Sequence, residues 1–284
     1  MKARVFRIAS YINEFALCGI LFFIPISKAI LESLLGAAFL GFLVKKVIRP
    51  DFSFLKNKTN LFLVLFMLFS ALSLINSGKY LEKSLLALFF KWGNYVLLYF
   101  MFLDVFKEKD KAKKAFFIFL ISAGLVSLNG VFQFIFGFDF FRGKEMIDMG
   151  NGVFALGISF NNYNDLAAYL IISISIFVSL VLRKDNKVEI YLLWLIILFS
   201  VFSLIFTFSR GGWVGFLAAI IFMLILSGQG KKTFLLLGFA ILLFLIIPPA
   251  RERLFFIFSR GGDANRFETW VAAFDMIKRA PFLG

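Results

Sequence analysis

Apolar runs of about 17 to 25 residues recur along the chain, each long enough to cross a hydrocarbon layer roughly 30 Å thick as a helix. Nine such runs lie at approximately 8–26, 29–48, 60–76, 84–103, 115–137, 164–182, 190–208, 212–227 and 233–250. Lipid offers the backbone no hydrogen-bond partner, so runs of this length must satisfy their N–H and C=O groups internally, as helices do. The composition agrees: 61% of the 284 residues are hydrophobic, 43 are Phe, and only 17% are charged, against roughly half and a quarter in a soluble domain. The reading is an all-α polytopic membrane protein of about nine transmembrane helices, with a bundle over 1–250 and a tail over 251–284.

In such a chain the net charge of +14 serves orientation in the membrane before nucleic-acid binding, and no nucleic-acid partner is expected. With the N-terminus in the cytoplasm, the inside connections hold eighteen Lys and Arg, among them Arg7, Arg49 and Lys111. The outside connections hold six: Lys28, Lys79, Lys83, Arg142, Lys144 and Arg210. That asymmetry selects a cytoplasmic N-terminus and leaves the tail outside. The chain has no His, and its one cysteine, Cys18, lies within the first run. An intramolecular disulfide and a Cys or His metal site are thereby excluded, and the commonest general base is missing. Walker loops, dinucleotide fingerprints and Asp-x-Asp motifs are also missing, so neither metal nor cofactor is expected. An enzyme of this kind needs a substrate that brings its own activated phosphate into the membrane, such as a polyprenyl diphosphate-linked sugar.

Three places on the expected outer face are more than turns. Residues 138–163 are too polar to span and too long for a tight connection, and they lead into a helix near Asp165 that Asn162 or Asn164 can cap. Asp165 suits that helix start and is the best-placed acid for proton transfer. The second place is Thr207–Trp213, which contains Ser209, Arg210, Gly211 and Gly212. The third is the tail, where Phe258–Gly262 repeats Phe208–Gly212 with Arg260 in the place of Arg210. Glycines let backbone N–H groups approach a ligand, a helix start adds positive potential, and Arg offers a fork that matches phosphate, so each copy reads as an anion site. The competing reading makes Arg210 an interfacial anchor beside Trp213, and lets Gly211 and Gly215 simply pack helix eight closely. In the tail, Asn265 and Glu268 have capping-box spacing, while Phe267, Trp270, Val271, Phe274 and Ile277 fall on one face. Residues 266–279 are therefore expected to form an amphipathic helix on the outer surface. Arg266, a cation in its first turn, is balanced by Glu268 or by a ligand phosphate. Lys91, inside the fourth run, either snorkels to headgroups or binds a substrate anion.

Taken in order, Gly157–Leu170 (GISFNNYNDLAAYL), Thr207–Trp213 (TFSRGGW) and Arg266–Ala273 (RFETWVAA) running into Ala280–Gly284 (APFLG) resemble the successive landmarks of the O-antigen ligase and polymerase superfamily (Wzy_C-like). The resemblance covers about 150–284 by motif and the earlier runs by hydropathy alone. It implies a metal-independent, GT-C-type glycosyltransferase of the bacterial inner membrane with a periplasmic active face. The implied reaction moves a glycan from undecaprenyl diphosphate to lipid A-core or to another glycan, with Arg210 and Arg266 holding the diphosphate. Lys91, Asn164, Asp165, Ser209, Gly211, Gly212 and Arg260 complete the candidate substrate-binding set. Family members use a His in a large outer loop to activate the acceptor; this chain has none and stops at Gly284, so it is expected to be the N-terminal portion of a longer or split protein. Two other classes fit the same features: a transporter or flippase for an anionic lipid-linked substrate, and a non-catalytic assembly partner.

Overall fold

The structure is a computed structural model that describes residues 1–53, 58–150, 152–183, 187–227, 238, 264–279 and 281. Among these residues the chain is a helical membrane protein whose only strands are two short ones. The helices are α1 (Lys2–Phe23), α2 (Lys28–Ile48), α3 (Lys58–Ser73), α4 (Leu81–Leu86), α5 (Asn94–Val105), α6 (Lys109–Phe136), α7 (Tyr163–Arg183), α8 (Lys187–Phe206), α9 (Arg210–Ser227) and α10 (Ala264–Arg279). Strands β1 (Ile147–Asp148) and β2 (Phe154–Ala155) pair antiparallel, with Ile147 opposite Ala155 and Asp148 opposite Phe154.

Among the described residues, six helical stretches are long and apolar enough to span: Lys2–Phe23, Thr59–Asn76, Gly78–Val105, Lys109–Phe136, Tyr163–Leu182 and Glu189–Phe206. They correspond to six of the nine expected runs. The run 29–48 forms α2, but Glu32, Lys45 and Lys46 lie within it. The run 212–227 forms α9, 18 residues from Arg210 to Ser227. The run 233–250 lies outside the described residues, apart from Gly238. The fourth run is not one regular α-helix: Ala87–Gly93 forms a π-helical segment between α4 and α5. Lys91 sits in that segment, a widened turn of the kind often found at functional sites.

Two compact units divide the chain. One comprises Met1–Leu21, Ala29–Phe116 and Asp263–Gly284; the other comprises Phe22–Lys28 and Phe117–Gly262. In the first, Leu17 and Ile20 of α1, Ala38 of α2 and Met101 of α5 form a buried cluster. Gly41 of α2 comes so close to α1 that a Cβ there would lie 3.0 Å from the Ala9 carbonyl oxygen. Lys45 and Lys46 of α2 both bond the Asp104 carboxylate, at 2.6 and 2.7 Å. Helix α10 is described from Ala264, two residues before the expected start at Arg266, and the Asn265 side chain lies outside the described residues. Its Phe267, Trp270, Val271, Phe274 and Ile277 are all exposed.

The second unit is built on α7. Leu166, Leu170, Ile174 and Phe177 recur at turn spacing and are buried against Ile197, Val201 and Leu204 of α8 and Trp213, Phe216 and Ile220 of α9. Hydrophobic burial contributes little between helices in lipid, so small residues and hydroxyls do much of the joining. Ser127 of α6 and Ser200 of α8 share a hydrogen bond of 2.6 Å, and Tyr169 of α7 donates to Ser122 of α6 at 3.3 Å. Gly130 of α6 abuts Ser203 of α8, whose Cβ would be 2.7 Å from a Cβ at 130.

Candidate functional site

Helix α6 carries two amides one turn apart, Asn129 and Gln133, both fully buried. They fold the segment that follows. Gly137, in the left-handed region at φ +84°, ends the helix by donating its N–H to the Gln133 carbonyl at 2.8 Å. The chain then closes on Asp139, whose buried carboxylate accepts the N–H groups of Phe141, Arg142 and Lys144, each at 2.9 Å, and the Ser159 hydroxyl at 3.1 Å. Asn129 Oδ1 accepts the Phe140 N–H at 2.9 Å. Gln133 Oε1 accepts the N–H groups of Gly157 and Ile158, and its Nε2 donates to the Lys144 carbonyl at 3.0 Å. Leu156 N–H donates to the last residue of α8, the Phe206 carbonyl, at 2.8 Å. Residues 137–159 are therefore a polar fold pinned to α6 and α8 in place of a free connection.

Ile158, with φ +49°, is the strained point of this fold. A β-branched residue rarely takes the left-handed conformation, and such strain concentrates at functional positions. Just beyond it, Lys144 Nζ donates to the Asn161 Oδ1 at 2.6 Å and to the Ser159 carbonyl at 3.2 Å. Burial pulls the Lys144 ammonium below its ordinary range, the neighbouring Arg142 adds to this, and Asp139 opposes it. An anion bound there would relieve that cost.

Asn162 is the cap of α7: its Oδ1 accepts the Asn164 N–H at 2.8 Å. Asn164 turns outward from the helix start and its Oδ1 accepts the Ser209 hydroxyl at 2.7 Å. Ser209 in turn caps α9, its Oγ accepting the Gly212 N–H at 3.1 Å. One hydroxyl thus locks the starts of α7 and α9 side by side. The approach is close, since a Cβ on Gly212 would lie 2.7 Å from the Ala167 Cβ. Of the two glycines expected to pack this helix, Gly215 does, with a Cβ there 3.3 Å from Ile171 Cδ1, whereas Gly211 faces open space; Gly212 makes the closer approach. Before the cap, buried Phe208 takes φ +52°, and Trp213 Nε1 donates back to the Leu204 carbonyl at 3.2 Å.

Arg210 is the first residue of α9 and half-buried. A cation there adds to the positive ends of two helices, a combination that suits an anionic ligand. Asp165, exposed in the first turn of α7, is the one carboxylate beside this cluster in sequence. Of the residues singled out in the sequence, the structure brings Asn164, Asp165, Ser209, Arg210, Gly211 and Gly212 to one place. Lys91 and Arg266 belong to the other unit. Arg266 falls in the first turn of α10, with its side chain outside the described residues, as is Arg260 altogether. Sequence reading missed the organising roles of Asn129, Gln133 and Asp139. The signal for the first two was present: amides four residues apart inside an apolar run.

Residues 195–284 match the family model described as O-Antigen ligase, Wzy_C. The matched segment contains Thr207–Trp213 and all of α10; the Asn-rich segment 157–164 lies before it. No match was found among curated proteins or among solved structures.

Proposed function

We propose that the chain carries the donor site of a glycan ligase or polymerase that takes its glycan from undecaprenyl diphosphate and passes it to lipid A-core or another glycan chain. The observation that carries this reading is Arg210, which opens α9 within the family-matched segment beside the interlocked caps Asn162, Asn164 and Ser209. In the reaction an acceptor hydroxyl oxygen bonds to the anomeric carbon while the bond from that carbon to the diphosphate breaks. The bonding electrons leave with the diphosphate, and charge grows on its oxygens. Arg210 meets that charge with a two-pronged donor, reinforced by the N-termini of α7 and α9, and Arg266 supplies a second guanidinium. The proton from the acceptor passes to a base that is not a histidine of this chain; Asp165, next to Asn164 in the first turn of α7, is the carboxylate proposed for it.

Donor binding tests this directly. The 284-residue chain in nanodiscs should bind an undecaprenyl diphosphate-linked glycan, and Arg210→Gln should weaken binding by about tenfold to a hundredfold, the value of a hydrogen bond to a charged group. Absence of donor binding by the wild-type chain, or equal binding by Arg210→Gln, would overturn the assignment.

The site is proposed to face the periplasm of a bacterial inner membrane, because eighteen cations fall in connections on the opposite side. In a Cys18→Ser background, Glu145→Cys should react with an impermeant maleimide in intact spheroplasts and Lys109→Cys only after permeabilisation. The reverse pattern would invert the topology.

A further inference from the structure

A second cluster of charge lies in the first unit, on residues that the transfer reaction does not use. Arg7, Ser10, Tyr11 and Glu14 recur at helical spacing and form one face of α1. Together with Phe6, Arg49 just beyond α2, and Lys111 in the first turn of α6, that face lines a cavity of about 400 Å³, a volume typical of small-molecule sites. Three cations and one carboxylate line it, and the carboxylate is already engaged: Glu14 accepts Lys114 at 2.9 Å. Lys111 bonds Glu108 at 2.8 Å, on an exposed side. The two guanidiniums have no such partner among the described residues. Arg49 sits over the Phe6 ring, its Cζ 4.7 Å from the centroid, a contact that holds the guanidinium in place and leaves N–H groups for an anion.

The surroundings identify the kind of anion. Ile8, Ile12 and Phe15, next to the charged face of α1, are 50%, 44% and 75% exposed, and Val47 of α2 is 83% exposed. Such side chains belong against acyl chains, so the basic cavity opens where a polar headgroup region meets hydrocarbon. A free phosphate would use the cations alone; a phospholipid uses the cations and the apolar flank together. We infer that this cavity binds the phosphodiester headgroup of an anionic phospholipid, with Arg7 and Arg49 as the phosphate ligands and the Ser10 and Tyr11 hydroxyls beside them. Basic pockets between helix ends commonly serve this purpose. The site is separate from the diphosphate site and stands whether or not that site is correctly assigned.

The test is lipid retention. The 284-residue chain is placed in nanodiscs of phosphatidylcholine containing a minor fraction of phosphatidylglycerol, extracted, and examined by native mass spectrometry for bound phosphatidylglycerol. Each cation near an anionic surface is worth about a fivefold change in affinity, so Arg7→Gln/Arg49→Gln should retain about thirtyfold less. Lys109→Gln/Lys113→Gln, which removes equal charge from outside the cavity, should retain as much as wild type. Equal loss in that control would replace a site with diffuse attraction and overturn the inference. Undiminished retention by the double Arg variant would do the same, as would complete competition by soluble glycerol phosphate, which would mark a free-phosphate site. If the double variant melts earlier than wild type in pure phosphatidylcholine, the single variants decide, each with an expected loss of about fivefold.

Discussion

Arg210→Lys and Arg266→Lys should each lower glycan transfer by about 10²- to 10³-fold, the usual cost of removing a donor aimed at developing charge, while Arg260→Lys should stay within a few-fold of wild type. Lysine keeps the charge and the helix propensity, so folding is not the variable; it loses the planar fork that meets two phosphate oxygens at once. Arg210 tolerates the exchange structurally because the turn before it is held by other groups. Ser209 caps α9 through Gly212, and Asn164 holds Ser209. The loss should therefore fall mainly on kcat, with donor affinity changed less, because the diphosphate oxygens gain charge as the glycosidic bond breaks. Arg266 and Arg260 are the two candidates for the second guanidinium. The repeated phrase Phe258–Gly262 pairs Arg260 with Arg210. The family resemblance and the helix beginning at Ala264 favour Arg266, which stands in a first turn as Arg210 does. Purified protein, a lipid-linked donor and a full titration of each variant separate the two. Damage from Arg260→Lys with tolerance of Arg266→Lys would move the second guanidinium to the repeat.

What the sequence made legible follows from which interactions are local. Apolar runs predict spans because length and hydropathy act residue by residue, and six of the nine appear as long apolar helices. The tail helix was legible from its stripe of Phe267, Trp270, Val271, Phe274 and Ile277, although its start is Ala264 and not Arg266. Capping by Asn162 was one of two local options, and the structure decides it by giving Asn164 a partner 45 residues away in Ser209. No local rule encodes that pairing. The same holds for Gly212 against Ala167, where the glycine is required by another helix and not by its own turn. The π-helical segment around Lys91 was hidden for a different reason. Apart from Gly93 its residues are ordinary helix formers and aromatic side chains, and a widened turn has no composition of its own.

Asp139→Ala should unfold the segment 137–159 locally without unfolding the bundle, and it should impair transfer though Asp139 touches no proposed substrate group. The carboxylate takes four hydrogen bonds in a fully buried position, three from backbone N–H groups and one from Ser159. Hydrogen bonds to a charged group are worth about 1.5–3 kcal/mol each, and buried donors left unpaired add their desolvation cost, so the local loss should reach about 3 kcal/mol or more after relaxation. That exceeds what a short polar segment can absorb, whereas α7, α8 and α9 keep their own apolar core and stay folded. Asp139→Asn separates charge from shape. Oδ1 accepts from Phe141, Arg142 and Ser159, and Oδ2 from Lys144 alone. An amide in that place keeps three acceptor contacts and turns an NH₂ group against the Lys144 N–H, a donor facing a donor. The Asn variant should be intermediate, with exchange protection lost first at Lys144. Lys144 is also the link to function, since its ammonium reaches Asn161 at the entrance to the α7 cap. Hydrogen exchange across 139–146, read beside donor binding and transfer, checks the whole chain of cause. Unchanged protection at Phe141, Arg142 and Lys144 in Asp139→Ala would show that this carboxylate does not organise the segment.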